Sequence, residues 1–151
     1  MCRNHELWDA FSKTTFRARH GDGSIDIRVG VPEPEELASL LDREGESSWM
    51  FITGWNPDGR VREDTEGGER SNREANLLLC EELRRRGLGK IYEGKGIPDP
   101  PSDHPPEESF LVLGATESEA VELGGAFGQA AVVVGERGHS PRLVCSSSCG
   151  D

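Results

Sequence analysis

The chain has 151 residues, 34% of them hydrophobic and 30% charged, which allows one core and leaves no room for separate catalytic and regulatory domains. A formal net charge of −11 excludes a nucleic-acid backbone or an anionic membrane as a general partner, because both would repel it. The longest apolar runs, 110–113 and 130–134, are far too short for a membrane span. Arg3, Glu6 and Asp9 interrupt any secretory signal pattern at the start, so a cytoplasmic setting is expected.

The first clear pattern is an alternation. Thr15, Arg17 and Arg19 face one way and Phe16 and Ala18 the other; after Gly21-Asp22-Gly23, Ile25, Ile27 and Val29 alternate with Asp26 and Arg28. Two such runs about an Asp-Gly turn predict a β-hairpin. Glu35 to Arg43 predicts a short helix with Leu37, Leu40 and Leu41 on one face, and Pro34 and the early glutamates suit its first turn.

Trp49 to Trp55 is a continuous apolar run, the pattern of a strand buried on both faces, and Asn56-Pro57-Asp58-Gly59 ends it in a turn. Residues 58–70 read as an exposed loop. Ser71 and Glu74 form a capping-box pattern for a helix whose stripe is Ala75, Leu78, Leu79 and Leu83. Arg84 to Arg86 sit at its negative end and Gly87 stops it. Residues 90–93 suggest a short strand, and the proline-rich stretch 97–106 a covering loop. Residues 109–114 then predict a strand, 117–123 a helix and 130–134 a strand.

The order β-β-α-β-α-β-β-α-β predicts an α+β domain over 1–138, with a mixed β-sheet packed by two to three helices and a frayed tail over 139–151. Of the four cysteines, Cys80 lies in a helical stripe, whereas Cys145 and Cys149 in the tail read as free thiols; Cys2 stands alone. With no second close pair at ligand spacing, no metal site is expected and no cofactor is indicated.

Functional interest lies where polar residues interrupt apolar elements. Asn56 follows the most buried strand, and Asn72 and Asn76 are one helical turn apart on the face that continues into Leu79 and Leu83. Asparagine on such a face requires partners for its amide, so both should look toward the loop after Asn56. Glu107-Glu108-Ser109 opens one apolar strand and Gly128-Gln129 another. Whether those openings approach Asn56 depends on strand direction. Adjacent Glu107 and Glu108 would point to opposite sheet faces and could not act on one atom. No nucleophile elbow or phosphate-binding loop is present, and His5, His20, His104 and His139 form no triad pattern.

The set Phe51-Ile52-Thr53-Gly54-Trp55-Asn56-Pro57, Asn72 with Asn76, Glu107 to Gly114 and Phe127-Gly128-Gln129 resembles a bacterial family, domain of unknown function 3293. Its pattern is similar to F-I-T-A-W-N-P, N-x-x-x-N, E-x-S-x-L-V-x-G and F-G-Q-N-A in that order, over about residues 14–135. Gly54 stands where the family has alanine, Ala130 where it has asparagine, and an aromatic residue is missing near His104. The resemblance implies a small bacterial cytoplasmic protein and no particular activity.

Two readings follow. In one, Trp55, Asn56, Asn72, Arg73, Asn76, Glu108, Ser109 and Gln129 form a site for a small polar or nucleotide-like ligand, with Trp55 as a stacking face. In the other, the amides only brace loops, and the protein serves a structural role or meets a protein partner.

Overall fold

The computed structural model describes residues 5–56, 66–102 and 104–146. The Pro57-Asp58-Gly59 turn, most of the 58–70 loop, Cys2 and Cys149 lie outside the described residues.

A first helix, α1 (His5–Ser12), precedes the hairpin of β1 (Thr14–His20) and β2 (Gly23–Ile27). The hairpin closes as its alternation dictates: His20 pairs with Gly23, and Gly21 takes the left-handed φ of 57° that the tight turn needs. Phe16, Ala18, Ile25 and Ile27 are buried, while Arg17, Arg19, Ser24 and Asp26 face outward. The next helix, α2 (Glu35–Glu44), buries Leu37, Leu40 and Leu41 and ends on Gly45 in the left-handed conformation.

β3 (Ser48–Ile52) leads to the long helix α3 (Gly68–Arg85), then β4 (Ile91–Pro98) and β5 (Glu107–Leu113). α4 (Glu117–Ala126), β6 (Ala131–Glu136) and β7 (Arg142–Cys145) follow. Among the described residues, all seven strands join one sheet in the order β2-β1-β4-β5-β3-β6-β7. Every pairing is antiparallel, and the sheet curls into a half-barrel. The α+β class holds; among the described residues the sheet is antiparallel throughout and not mixed, and four helices accompany it.

Alternation along β3 divides the core in two. Trp49 and Phe51 join Phe16, Ile25, Leu111 and Val133 on one face, covered by α2 and by Leu7 and Phe11 of α1. Met50 and Ile52 join Val112, Val132 and Val144 on the other, covered by Leu79 and Leu83 of α3 and by Ala120 and Leu123 of α4. Each fully buried leucine contributes roughly 1.5–3 kcal/mol.

Several local expectations are corrected. The apolar run from Trp49 leaves the sheet after Ile52, where the Gly54 N–H turns to Asn76 of α3 and the Thr53 hydroxyl to the Glu108 carbonyl at the start of β5. α3 starts at Gly68 with no side-chain cap, so Ser71 is inside the helix, and Leu78 of the expected stripe is 58% exposed. The true capping box is Thr116 with Glu119 on α4. Strand β4 runs on to Pro98, into what composition suggested was loop. Residues 142–145, expected in a frayed tail, form β7 against β6, and Cys145, expected as a free thiol, is disulfide-bonded. Cys80 is a free cysteine, half-buried on α3.

Candidate functional site

Strand direction brings the candidate polar residues together. β5 and β6 flank β3 and run opposite to it, so their first residues lie where β3 ends. α3 crosses the same end. Asn56 has a left-handed φ of 48°, a conformation asparagine tolerates better than most residues.

The amides are satisfied by one another and by main chain. The Asn56 backbone N–H donates to Asn72 Oδ1 at 2.9 Å, and Asn72 Nδ2 donates back to Asn56 Oδ1 at 2.8 Å. Asn56 Nδ2 donates to Glu107 Oε2 at 3.0 Å. One helical turn on, Asn76 Oδ1 accepts from the Gly54 N–H at 2.7 Å, and Asn76 Nδ2 donates to the Glu108 carbonyl at 2.8 Å. Thr53 Oγ1 donates to that same carbonyl at 2.6 Å and accepts from the Trp55 N–H at 2.9 Å. Gln129 Nε2 donates to the Trp55 carbonyl at 3.1 Å, which ties the start of β6 to the end of β3. Ser109 Oγ donates to the Glu107 carbonyl at 2.9 Å.

This network sits in near-complete burial: Asn72 is 0% exposed, and Trp55, Asn56, Asn76 and Ser109 are all buried. Among the described residues, the indole N–H of Trp49 is the buried side-chain polar atom without a partner, and it belongs to the other face of β3. Gly54 permits the close approach of α3. A Cβ there would lie 3.1 Å from the Ala75 carbonyl oxygen and 3.3 Å from Asn76 Oδ1, so any larger residue would require α3 to give way by a few tenths of an ångström.

Beside the network lies a cleft of about 1150 Å³. α3 covers β5 and β3, but among the described residues no helix covers the same face of β2, β1 and the rest of β4 beyond Ile91. The cleft forms where the flank of α3 meets that bare surface. Its floor includes Arg17, Arg19, Glu93 and Lys95; its wall includes Arg73, Leu77, Cys80, Glu81 and Arg84 of α3. Trp55, Asn76, Glu108, Ser109 and Phe110 close the end nearest the network.

The expected site residues therefore divide. Trp55, Arg73, Asn76, Glu108 and Ser109 border the cleft, whereas Asn56, Asn72 and Gln129 lie behind it as its support. Trp55 is only 4% exposed, so it shows an edge and not the open stacking face expected of it. Arg73 turns to Glu69 at 2.9 Å along the helix surface. Glu107 and Glu108 do diverge: one carboxylate holds Asn56, and the other stands exposed at the cleft.

Sequence reasoning missed Thr53 and Glu107 as network members and Arg17, Lys95 and Arg84 as cleft residues. The available signal was the outward row of β1, Thr15, Arg17 and Arg19, which poses the question of what stands opposite it. Register answers it: Asp26, Arg17, Lys95 and Glu108 face one another in a row across β2, β1, β4 and β5. Arg17 is bonded to Asp26 through Nε at 2.7 Å and Nη2 at 3.1 Å, and that hydrogen bond raises its guanidinium above the ordinary value. Among the described residues, no three His, Cys, Asp or Glu side chains gather as metal ligands, and no helix is long and apolar enough to cross a membrane.

A family model described as a protein of unknown function (DUF3293) matches residues 52–132, more than half of the chain. The chain belongs to this family. The matched stretch carries the whole polar network and the α3 wall of the cleft, and it leaves out the β1–β2 hairpin that supplies part of the floor. No curated protein and no solved structure matches the chain.

Proposed function

We propose that this protein is a binding module for a small polar ligand, with the cleft between α3 and the uncovered half of the sheet as its binding space. The observation that supports this reading is a cleft of about 1150 Å³ directly beside a buried, internally satisfied network. Pockets of several hundred Å³ with a few convergent polar groups are the usual form of small-ligand sites. In this reading the amides do not contact the ligand as a set. Asn56, Asn72 and Gln129 fix the end of β3, and so hold Trp55, Asn76 and Glu108 in place at the cleft margin.

The saturation of the amides by partners within the chain equally supports a second reading, a structural or protein-interaction domain in which the network only braces loops. Neither reading calls for nucleic acid or membrane. A bacterial, cytoplasmic setting belongs to the proposal; the free Cys80 agrees with it, and the Cys145 disulfide argues against it, since such bonds are rare where thiols are kept reduced.

A thermal-shift screen of amino acids, short peptides, nucleotides and divalent metals separates the two, with amide chemical shifts used to place each hit. The binding reading expects a ligand that raises the melting temperature and moves the amides of Leu77, Cys80, Gly94 and Lys95. If no small molecule does either, the bracing reading stands in its place.

A further inference from the structure

The charges that line the cleft are not all spent within the protein. Arg17 is held by Asp26 at 2.7 Å, Arg73 by Glu69 at 2.9 Å, and Arg19 approaches Glu93 at 3.6 Å. Lys95 and Glu108 stand directly opposite each other on β4 and β5, yet among the described residues neither makes an ion pair. The arginine triplet that ends α3 also splits. Arg85 and Arg86 close on Glu82 at 2.6 and 2.8 Å, whereas Arg84 turns into the cleft beside Glu81, and neither of these two makes an ion pair among the described residues.

The cleft thus offers two cations, Lys95 and Arg84, and three carboxylates, Asp22, Glu81 and Glu108, that make no ion pair among the described residues. Between them lie apolar side chains, Leu77 at 65% exposure and the half-buried Phe110. A purely anionic ligand would meet Glu81 and Glu108, and a purely cationic one would meet Lys95 and Arg84. A ligand that carries both signs with an apolar group between them meets charges of both kinds. The volume, about 1150 Å³, exceeds what one amino acid fills.

From this we infer that the cleft takes a short peptide with free termini, its carboxylate on Lys95 or Arg84, its ammonium on Glu108 or Glu81, and an apolar side chain against Leu77 and Phe110. The inference rests on the binding reading above and deepens it.

The test is an amide chemical-shift titration of the full chain with the tripeptide alanyl-leucyl-alanine, its N-acetylated and C-amidated forms, and inorganic pyrophosphate. The free tripeptide is expected to move the cleft amides. Capping either end should weaken it by about threefold to fivefold, the usual scale of a partly exposed ion pair. Either Lys95→Gln or Arg84→Gln should weaken the free and acetylated forms and leave the amidated form unchanged, and either Glu108→Gln or Glu81→Gln should do the reverse. Equal binding of the capped and free forms would overturn the inference. So would cleft binding by pyrophosphate alone, although the binding reading would survive it. Silence from the tripeptide, the pyrophosphate and the wider small-molecule screen would overturn both. The capped peptides need no variant, so the comparison stands even if a substitution disturbs folding.

Discussion

The two halves of the sheet are built differently, and the contrast shows where this protein keeps its stability and where it keeps its chemistry. In β5, β3, β6 and β7 both faces are packed, one by α2 and the other by α3 and α4, and Leu111, Met50 and Val133 are fully buried. Among the described residues, β2, β1 and most of β4 are packed on only one face, Ile91 at the start of β4 still reaching the α3–α4 core. The other face carries Ser24, Asp26, Arg17, Arg19, Glu93 and Lys95 into solvent and into the cleft. The same chain therefore writes its strands in two dialects, continuous apolar runs where both faces are covered and strict alternation where one is bare.

Truncation should break this contrast most visibly. Leu111→Ala leaves a void in the packed half and should cost about 2–5 kcal/mol, whereas Lys95→Ala on the bare face should stay within about 0.5 kcal/mol. Urea denaturation of both variants checks the difference. Comparable losses would mean that the bare face is packed against something in solution.

Gly94 sharpens the comparison inside a single strand. It lies where the bare half overlies the packed one, and a Cβ there would fall 2.5 Å from the Arg17 carbonyl oxygen and 2.7 Å from Phe51 Cζ. Gly96, two residues on, has only ordinary contacts, the nearest at 3.6 Å to Phe16. Gly94→Ala should cost about 1–3 kcal/mol through overpacking, and Gly96→Ala should cost far less. Thermal melts of the two variants give the answer directly.

The contrast also explains what was legible in the sequence. The hairpin and the inward leucines of α2 were readable because alternation and helical spacing are local. Asn72 and Asn76 could be placed on the buried stripe of α3 because they share one helical face with Leu79 and Leu83. α1 was not, because its Leu7 and Phe11 are only partly buried and its eight residues carry no stop or start signal strong enough to stand alone. β7 was hidden as well: Arg142 to Cys145 is four residues long, and its strand state comes from pairing with β6 more than from its own pattern. The cleft was the least legible feature. It exists only because β1 pairs with β4, more than seventy residues away in the chain, and no local pattern encodes that neighbour.

The network at the junction of the halves is the next largest expected effect. Asn72→Ala removes the acceptor of the Asn56 N–H and the donor to Asn56 Oδ1 in a site with no water access, since Asn72 is 0% exposed. The unpaired groups should cost about 1–3 kcal/mol by equilibrium unfolding. Asn72→Asp, which keeps the acceptor and loses the donor, separates the two bonds. If both variants unfold like the natural chain, the network does not hold the end of β3.

The smallest effect concerns pH, and it belongs to the packed half. Hydrogen bonds from Arg85 and Arg86 hold the Glu82 carboxyl at about 2, against an ordinary 4.5. A carboxylate with a lowered value in the folded state contributes stability that is fully present above about 4.5 and is lost as pH falls toward about 2, because the unfolded chain takes up the proton first. Asp42 beside Arg137 and Asp99 beside Arg28 are lowered as well and act in the same direction. Stability should therefore fall on acidification below about 4.5, and Glu82→Gln should be less stable than the natural chain at neutral pH, with the gap closing near pH 2. Urea midpoints at pH 7, 4 and 3 measure that gap. Arg86 also bonds Glu122 of α4 at 2.9 Å, so an undiminished gap at pH 3 would show that the cost of Glu82→Gln does not come from the charge that holds this cluster.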